Sequence, residues 1–508
     1  MLQNHEGKPT IAFGKAEGTK TLAHPPRLKN QWQMTIKFLT FTFNVHSQPY
    51  ARRNPPTVMK IEQFEDKNLA QFSYILMSDA EIAVIDPARD PKPYEEYAML
   101  HDAKITAIIE THPHADFVSG HLELSEAKQT PIYVSSKLGA TYKHTPFNHG
   151  DELKIGNLTL RALETPGHSP DSISVLVLDE NGKEQAVFTG DALLLGDVGR
   201  PDLRETVGHE TSSRDQLARQ MYHTTREIFM KLPDDVLVYP AHGAGSLCGK
   251  SMSKAKSSTI GEEKATNAAL QPMTQDEFVT YLTSELPFVP KYFGHAVELN
   301  RTGAPKYDSA IKKVPILGPD HKLEQEPLVI DTRPQDQFRQ GHLDSSINLP
   351  DGPKFETWLG SVVWPDEPFY LIARDEDQLR ELICRTASIG YEGNIRGAIL
   401  TPPAAVETAP TLDLAHFKAN PDHYTILDIR NTNEVKEKPI FANALAIPLP
   451  ELREHLQEVP TDKPIVVHCA SGYRSAVGAS ILTAVVEDVS VYDLGDAVTQ
   501  FMPSSGQA

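Results

Sequence analysis

Short apolar runs rich in β-branched residues recur along the chain from residue 59 to about residue 300. Each run is bounded by turn residues or charged segments and is too short for a typical helix, so we predict strands. The predicted strands are residues 70–77, 82–85, 105–110, 132–134, 158–164, 173–178, 186–189 and 236–239. Helical stretches lie between and after them, which indicates an α/β sandwich whose functional residues follow the strands.

Two similar units follow residue 318. Residues 328–333 and 425–430 each form an apolar run that ends in Asp-x-Arg, which predicts a buried parallel strand in each unit. Each run is followed by an apolar segment with proline and then by another predicted strand. A proline-rich stretch at 402–405 separates the units as a stiff linker. We therefore expect two related α/β domains.

The remaining boundaries follow from composition and length. Residues 1–58 are rich in Lys, Arg, Asn, Gln and Pro without a sustained period, which predicts a disordered leader or a mis-assigned start before Met59. Because a chain of 508 residues is too long for one core, we expect about three domains. The predicted order is a first domain at 59–300, a linker at 301–318, a middle domain at 319–400, a linker at 401–411 and a last domain at 412–508.

Charge and cysteine content narrow the functional classes. Asp and Glu number 68 against 49 Lys and Arg, and the formal charge of −19 disfavours nucleic acid and anionic membrane surfaces as partners. No apolar run approaches the ~20 residues of a membrane span. The cysteines Cys248, Cys384 and Cys469 lie far apart without a C-x-x-C pair, which favours a reducing compartment and predicts a cytoplasmic protein.

The densest group of ionisable residues lies at 111–117, where His112, His114 and Asp116 directly follow a predicted strand. In a loop at a strand end, alternate side chains can converge on one ion. Three further loops each place one such residue after a strand, namely His168, Asp191 and His242. Any one of them alone is better explained as a hydrogen-bonded loop residue. Together they predict a metal site.

A second reactive site is predicted at Cys469, which follows an apolar strand at 464–468 and precedes a helix. A loop of backbone N–H groups above a helix N-terminus stabilises a thiolate and any persulfide built on it. Gly472 permits the tight loop and Arg474 adds positive charge, so we expect Gly472 and Ser471 to contact an anionic sulfur substrate.

A protein phosphatase is the alternative for this loop. A phosphatase loop would require Arg one residue later, where Ser475 stands, so the spacing from Cys469 to Arg474 favours sulfane sulfur. Asp428, at the end of a neighbouring strand, is the expected brace of the loop.

The middle domain shares the Asp-x-Arg strand but lacks the reactive loop. Its strand at 369–373 leads into Arg374, where the last domain has its cysteine. Cys384 lies in a predicted helix at 379–387, where packing explains it best. We therefore expect a catalytically silent domain that serves assembly or docking.

The order H-x-H-x-D, Gly-His, Gly-Asp, Ala-His resembles the signature of the metallo-β-lactamase superfamily. Residues 59–300 look like its persulfide dioxygenase branch, on the segments 190–194, 199–203 and 261–263 with Asn267, and the two later units resemble rhodanese. The resemblance implies an α/β fold in which a metallo-β-lactamase αββα sandwich is followed by two α/β rhodanese-like domains.

The resemblance also implies which residues bind the metal ion. In the persulfide dioxygenase branch one Fe(II) is held by residues that map to His112, His168 and Asp191. Two imidazoles and one carboxylate with open positions match the facial triad of non-haem Fe(II) oxygenases. The superfamily usually has a second-metal histidine at position 117, and Phe117 cannot contribute a ligand, which argues for one ion per chain. The remaining three residues are then expected to orient ligands or water: His114, Asp116 and His242.

Two further residues have alternative interpretations. Arg200 is the expected contact for the carboxylate of a small thiol carrier, with a structural salt bridge as the alternative. Cys248, six residues after His242, would be a relay thiol near the iron, but a buried small hydrophobe is the favoured interpretation. Members that use glutathione tend to have Asp-Tyr after the last His, and Gly243-Ala244 stands there instead. The sequence therefore leaves the carrier open.

The resemblance implies a persulfide dioxygenase that oxidises a low-molecular-weight thiol persulfide with O₂ to sulfite. The rhodanese domain would then transfer sulfane sulfur from a Cys469 persulfide to sulfite, giving thiosulfate, in sulfide detoxification. The implied partners are the persulfide, O₂ and sulfite, and we expect a homo-oligomer. A zinc thioesterase of the glyoxalase II kind, with Phe117 against it, and a scaffolding protein with decayed enzymatic domains are the alternatives.

Overall fold

The structure is a computed structural model that describes residues 59–205, 207, 212–318, 321–324, 327–400 and 407–502. The leader predicted at 1–58 lies outside the described residues. Within the described ranges, no helix combines the length and the apolar character needed to cross a membrane.

The first domain begins with a mixed six-stranded sheet in the order β1-β2-β3-β4-β5-β6. The first three strands pair antiparallel, and the later ones pair in parallel. Helices α1 (Lys92–Leu100) and α2 (His121–Lys128) make the parallel crossovers around β4. The strands are β1 (Lys60–Asp66), β2 (Gln71–Ser78), β3 (Glu81–Ile85), β4 (Lys104–Ile109), β5 (Ile132–Val134) and β6 (Thr145–Pro146).

A second six-stranded sheet has the order β12-β11-β10-β9-β8-β7. Its strands are β7 (Glu152–Ile155), β8 (Leu158–Glu164), β9 (Ile173–Leu178), β10 (Glu184–Gly190), β11 (Leu237–Pro240) and β12 (Ser258–Thr259). The helices that complete the first domain along the chain are α3 (Arg214–His223), α4 (Ile260–Thr266), α5 (Gln275–Thr283) and α6 (Phe293–Thr302). Capping boxes start α3 at Ser213 and α5 at Thr274.

The two sheets face each other across an apolar layer. The ring of Tyr74 on β2 lies 5.0 Å from that of Phe188 on β10, centroid to centroid. The outer face of the first sheet packs on α1 through Tyr94, and that of the second packs on α3 and α5 through Met221 and Phe278. Both sheets are therefore covered on both sides, and the predicted αββα sandwich is confirmed.

The middle domain is built on a parallel sheet in the order β13-β17-β16-β14-β15. Its strands are β13 (Ile316–Leu317), β14 (Leu328–Asp331), β15 (Ser346–Asn348), β16 (Phe369–Ile372) and β17 (Ile395–Ile399). Its helices are α7 (Tyr307–Lys312), α8 (Gln335–Gln340), α9 (Phe355–Val362) and α10 (Glu376–Ser388).

The last domain repeats this plan with four parallel strands in the order β19-β18-β20-β21. The strands are β18 (Thr425–Asp428), β19 (Leu445–Ala446), β20 (Ile465–His468) and β21 (Val491–Asp493). The helices are α11 (Leu414–Ala419), α12 (Thr432–Glu437) and α13 (Tyr473–Thr483). Both predicted α/β units after the sandwich are thus confirmed.

The stretch 301–318, predicted as a linker, is instead ordered and packed. It contains α7 and the edge strand β13, which pairs in parallel with β17. Tyr307 of α7 is buried, with the Arg89 guanidinium 5.7 Å from its ring centroid. The prediction was wrong because a six-residue helix and a two-residue strand are too short to show a hydrophobic period.

One apolar core runs through all three domains. It joins Phe117 and Tyr292 of the first domain, Leu359 of α9 and Val477 of α13 in a single cluster of buried side chains. The contact is close: a Cβ on Gly360 of α9 would lie 2.2 Å from the Tyr292 ring. The middle domain is therefore packed against both of its neighbours rather than tethered to them.

Candidate metal centre and cysteine loop

Strand ends bring the predicted metal ligands to one edge of the sandwich. His112 follows β4, His168 lies in the loop between β8 and β9, and Asp191 directly follows β10. The Nε2 atoms of His112 and His168 lie 3.7 Å and 3.6 Å from the same oxygen, Oδ2 of Asp191. One ligand atom from each of the three lies within 4.8 Å of the others. The arrangement fits one cation between two imidazoles and a carboxylate.

Hydrogen bonds at the other ring nitrogen orient both imidazoles. His112 Nδ1 lies 3.0 Å from the Thr111 hydroxyl, which donates to Asp86 Oδ2 at 2.9 Å. His168 Nδ1 lies 2.8 Å from the backbone oxygen of Arg200. With Nδ1–H donated in each ring, the Nε2 lone pair is left for a metal ion. Asp86 was not predicted, although it follows β3 as the other site residues follow their strands.

The charge states match what a metal ion requires. Burial lowers the pKa of His112 and of His168, so both rings are neutral at neutral pH. Burial by itself would raise the pKa of Asp191, but the surrounding histidines, His242 above all, hold it well below the usual value. Neutral imidazoles and an ionised carboxylate are the deprotonated forms that bind a cation.

His242 lies between two carboxylates. Its Nδ1 is 2.7 Å from Asp191 Oδ1, and its Nε2 is 2.8 Å from Asp116 Oδ2. Burial lowers the pKa of His242, but Asp116 and Asp191 outweigh that effect and raise it well above the usual value. In this arrangement His242 is a cation that holds both carboxylates, which agrees with the predicted positioning role.

The second group of predicted residues remains close enough for an ion of its own. Ligand atoms of His114, Asp116 and His242 also lie within 4.8 Å of one another. His114 Nε2 lies 3.3 Å from Asp86 Oδ1. Phe117 is buried beside this group, with its ring centroid 4.3 Å from that of His114 and 6.2 Å from that of His242. The position that would complete a second ligand set is therefore filled by an apolar ring.

Arg200 is placed as a structural residue. Its guanidinium is 1% exposed and forms a two-point ion pair with Asp202, at 2.7 Å and 2.6 Å. The remaining N–H groups donate to backbone oxygens of Leu247, Phe288 and Pro287. All five donors of the guanidinium are occupied, so the geometry favours the structural salt bridge over contact with a substrate carboxylate.

Cys248 lies at the metal centre. Its sulfur belongs to a group with Asp191 and His242 in which all ligand atoms lie within 4.8 Å. The side chain is buried, as the favoured interpretation required. Burial raises the pKa of the Cys248 thiol well above its usual value, and the charges of Asp116 and Asp191 raise it further. The sulfur is therefore a protonated thiol in the protein without metal.

The predicted cysteine loop has the expected cradle. The backbone N–H of Gly472 donates to Cys469 Sγ at 3.2 Å, and Ser475 Oγ lies 3.7 Å from the sulfur. Gly472 has φ +102°, and a Cβ there would lie 3.0 Å from the backbone of Gly495. Only glycine accommodates this turn without strain, and it leads directly into α13. Ser471, beside it, is exposed to solvent.

The charged partners of the loop differ from the prediction. Arg474 forms a two-point ion pair with Glu434, at 2.6 Å and 2.8 Å. Asp428 holds Arg430 through its two oxygens, at 3.0 Å and 2.6 Å, because Arg430 follows two residues later and folds back onto it. Asp428 Oδ2 also lies 3.6 Å from Nε2 of His468, the residue directly before Cys469.

The middle domain reproduces that ion pair without the cysteine. Asp331 and Arg333 make the same two-point contact at the end of β14. Arg374, in the place of the nucleophile, is exposed and paired with Asp375. Cys384 lies in α10, where burial raises its pKa. These features agree with a catalytically silent domain.

A stack of aromatic and cationic side chains links the two sites. The Arg474 guanidinium lies 5.7 Å from the ring centroid of Trp358 on α9. Trp358 in turn stacks on Phe288 of the first domain, at 5.4 Å and an interplanar angle of 19°. The backbone oxygen of Phe288 accepts from Arg200. The cysteine loop and the metal centre therefore both border the middle domain.

Comparison with known proteins agrees with this division. The family model described as "Metallo-beta-lactamase superfamily" matches residues 67–242, and that described as "Rhodanese-like domain" matches residues 320–396 and 412–496. A crystal structure of a metallo-beta-lactamase from Staphylococcus aureus subsp. aureus COL is 32% identical, with a TM-score of 0.60, over 67% of this chain and 98% of that one.

Two curated relatives match the first domain. The mitochondrial persulfide dioxygenase ETHE1 of Homo sapiens is 28% identical over 233 residues, which cover 45% of this chain and 82% of the relative. The hydroxyacylglutathione hydrolase of Dictyostelium discoideum is 31% identical over 183 residues, which cover 34% of this chain and 63% of the relative. The first domain is thus similar both to an oxygenase and to a hydrolase.

Removal of the Thr111 hydroxyl tests the orientation of His112. We expect Thr111→Val to weaken metal binding by about 10- to 100-fold, because the His112 ring loses its fixed partner and Asp86 loses a donor. Thr106→Val on β4 is the matched control, since the Thr106 hydroxyl donates to the backbone of Ile82 away from the site. Competition with a chelator, read by metal analysis, measures the affinities. Equal affinities for Thr111→Val and the wild type would contradict this account.

Proposed function

Because the chain belongs to the metallo-β-lactamase superfamily and carries rhodanese-like domains after its sandwich, we propose that it is a persulfide dioxygenase fused to a sulfurtransferase. The observation that carries the proposal is the group of His112, His168 and Asp191, with Phe117 in the place of a further metal ligand. A ferrous ion held by this group would supply the activation of O₂ and a coordination position for the persulfide.

The proposed oxidation balances as RSSH + O₂ + H₂O → RSH + SO₃²⁻ + 2H⁺, so one sulfur leaves as sulfite and the carrier thiol is released. The chain's own residues have defined parts in it. Thr111 and the Arg200 backbone orient the two imidazoles, and His242 holds the carboxylates of Asp191 and Asp116. All the ligand side chains are buried, which keeps bulk water from the centre.

The proposed second step takes place at Cys469. Sulfite attacks the outer sulfur of a Cys469 persulfide, the S–S bond breaks, and thiosulfate leaves while the Cys469 thiolate is restored. The Gly472 N–H and the N-terminus of α13 stabilise the departing thiolate. Arg474, although paired with Glu434, adds positive charge beside a loop that receives anionic sulfur compounds. The two reactions together would serve sulfide detoxification.

The proposed small-molecule partners are a thiol persulfide, O₂ and sulfite, with one Fe(II) per chain. A cytoplasmic location and a homo-oligomer stay predictions from the sequence.

A zinc-dependent thioesterase of the glyoxalase II kind is the second candidate. The observation in its favour is that His114, Asp116 and His242 form a second group of ligand atoms beside the first. The similarity to a hydroxyacylglutathione hydrolase supports the same reading. Two observations stand against it. Phe117 supplies no metal ligand, and His242 and Asp116, which would be ligands of a second ion, are paired with each other.

Metal content and oxygen uptake decide between the two candidates. We expect the purified wild type to hold about one iron per chain and to consume O₂ with a thiol persulfide while sulfite accumulates. Asp191→Ala should lose both iron and oxygen uptake, because one of three ligands is gone. Stoichiometric zinc, with thioester hydrolysis and no oxygen uptake, would overturn the dioxygenase and support the thioesterase.

Phe117→His tests whether this side chain limits the site to one ion. An imidazole at position 117 would join Asp116 and His242, so in protein stripped of metal and reconstituted with zinc, bound zinc is expected to rise from about one to about two ions per chain. Phe117→Leu is the control, since it keeps the position apolar and should leave one ion. Two zinc ions in the reconstituted wild type would refute this role of Phe117.

Cys469→Ser separates the two reactions. We expect it to abolish thiosulfate formation while sulfite formation continues, because the metal centre lies in another domain. Cys384→Ser is the matched control, since this half-buried thiol lies in α10 of the silent domain. Sulfite and thiosulfate are measured by chromatography after derivatisation. Thiosulfate from Cys469→Ser at the wild-type rate would disprove the role of Cys469.

A further inference from the structure

Lys354 of the middle domain reaches the loop that carries His242 and Cys248. This residue immediately precedes α9, and its Nζ donates to the backbone oxygen of Gly245 at 2.5 Å. Within the described part of the chain this is its single hydrogen bond, and no carboxylate lies at ion-pair distance. An ammonium group has three donors, so two remain for another ligand. A half-buried lysine without a counter-ion is unusual.

The ammonium contacts the loop that joins two residues of the metal centre. Gly245 is three residues from His242 and three from Cys248, whose nitrogen and sulfur lie within 4.8 Å of each other. Because three residues span at most about 11 Å between Cα atoms, Gly245 cannot lie far from either residue. Burial lowers the pKa of Lys354, whereas the charges of Asp116 and Glu356 raise it.

The surroundings of Lys354 are open to a ligand. Ala244 and Gly245 are exposed. A Cβ built on Gly245 would meet only Lys354 Nζ, at 3.7 Å. The other cations of this region have their own partners: Arg200 has no free donor, and Lys250 donates to backbone oxygens of Tyr281 and Ser284. The accessible side of the loop therefore carries an ammonium group without an ion-pair partner among the described residues.

We propose that Lys354 binds the anionic end of the thiol carrier while the sulfur of that carrier lies at the metal centre. The proposal rests on the proposed function and adds to it a residue that selects carriers with a carboxylate or phosphate group remote from the sulfur. The silent middle domain then contributes a specificity-determining residue to its neighbour's active site, besides any part in assembly.

Kinetics of the full-length protein test the proposal. With a glutathione persulfide substrate, Lys354→Met is expected to raise KM by about tenfold and to leave kcat nearly unchanged, because the charge contacts only the carrier's end. Lys354→Arg should recover most of the loss. With the persulfide of a glutathione dialkyl ester, which lacks the carboxylates, wild type and Lys354→Met should have equal KM values. Thiosulfate:cyanide sulfurtransfer at Cys469 should be unchanged and reports that the variant is folded.

Lys291→Met is the matched control for loss of an interdomain lysine. Lys291 donates to backbone oxygens of Ser361 and Pro450 and pairs with Glu454, so its three donors are already occupied. Its substitution should leave KM for the anionic persulfide unchanged. An equal rise of KM in both variants would show a general effect of the interface and overturn the proposal.

A binding measurement separates this proposal from the oxygenase reaction. S-methylglutathione and S-methyl-coenzyme A, titrated calorimetrically, distinguish a carboxylate from a phosphate as the anion bound. Binding of either probe by the wild type, weakened about tenfold in Lys354→Met, supports the site. If this binding is found but no oxygen is consumed, only the proposed function fails. Equal binding by the two proteins, or binding of neither probe to the wild type, overturns the proposal.

Discussion

A buried carboxylate needs hydrogen-bond donors or positive charge beside it. Asp191 is such a carboxylate, and the residues that surround it form the metal centre of the first domain. It follows β10 with no exposed surface on its side chain. The positive charge comes from His242, which follows the neighbouring strand β11, and His242 is itself shared with Asp116 after β4. One ionic chain thus connects the two sheets at their edge. The imidazoles of His112 and His168 face Oδ2 of Asp191, and burial lowers the pKa of both.

Much of this could be predicted from the sequence because the side chains follow strands. A strand end fixes where a loop begins, so His112, His168, Asp191 and Cys469 could be assigned to sites from local pattern alone. The α/β sandwich and the two later α/β units followed from apolar runs in the same way. Sequence similarity then supported the family, since these runs and loops occur in the expected order.

The hydrogen-bond and ion-pair partners of several polar residues could not be predicted from the sequence. Arg200 was a candidate for substrate, but backbone oxygens almost ninety residues later fill its donors. Asp428 was expected to brace the cysteine loop; both its oxygens accept from Arg430, and Oδ2 also lies 3.6 Å from His468 before Cys469. The contact of Lys354 with Gly245 could not be predicted, because it joins two domains. Long-range pairing of polar groups is decided by packing, which a single sequence does not display.

The repeated ion pair of the two rhodanese-like domains permits one more deduction. Asp331 with Arg333 and Asp428 with Arg430 have matching distances, although only the second domain has a cysteine in its loop. The same strand end therefore occurs once with and once without a cysteine after the neighbouring strand. A feature present in both copies is a requirement of the fold. The cradle around Cys469 distinguishes the last domain, and the proposed sulfur transfer depends on it.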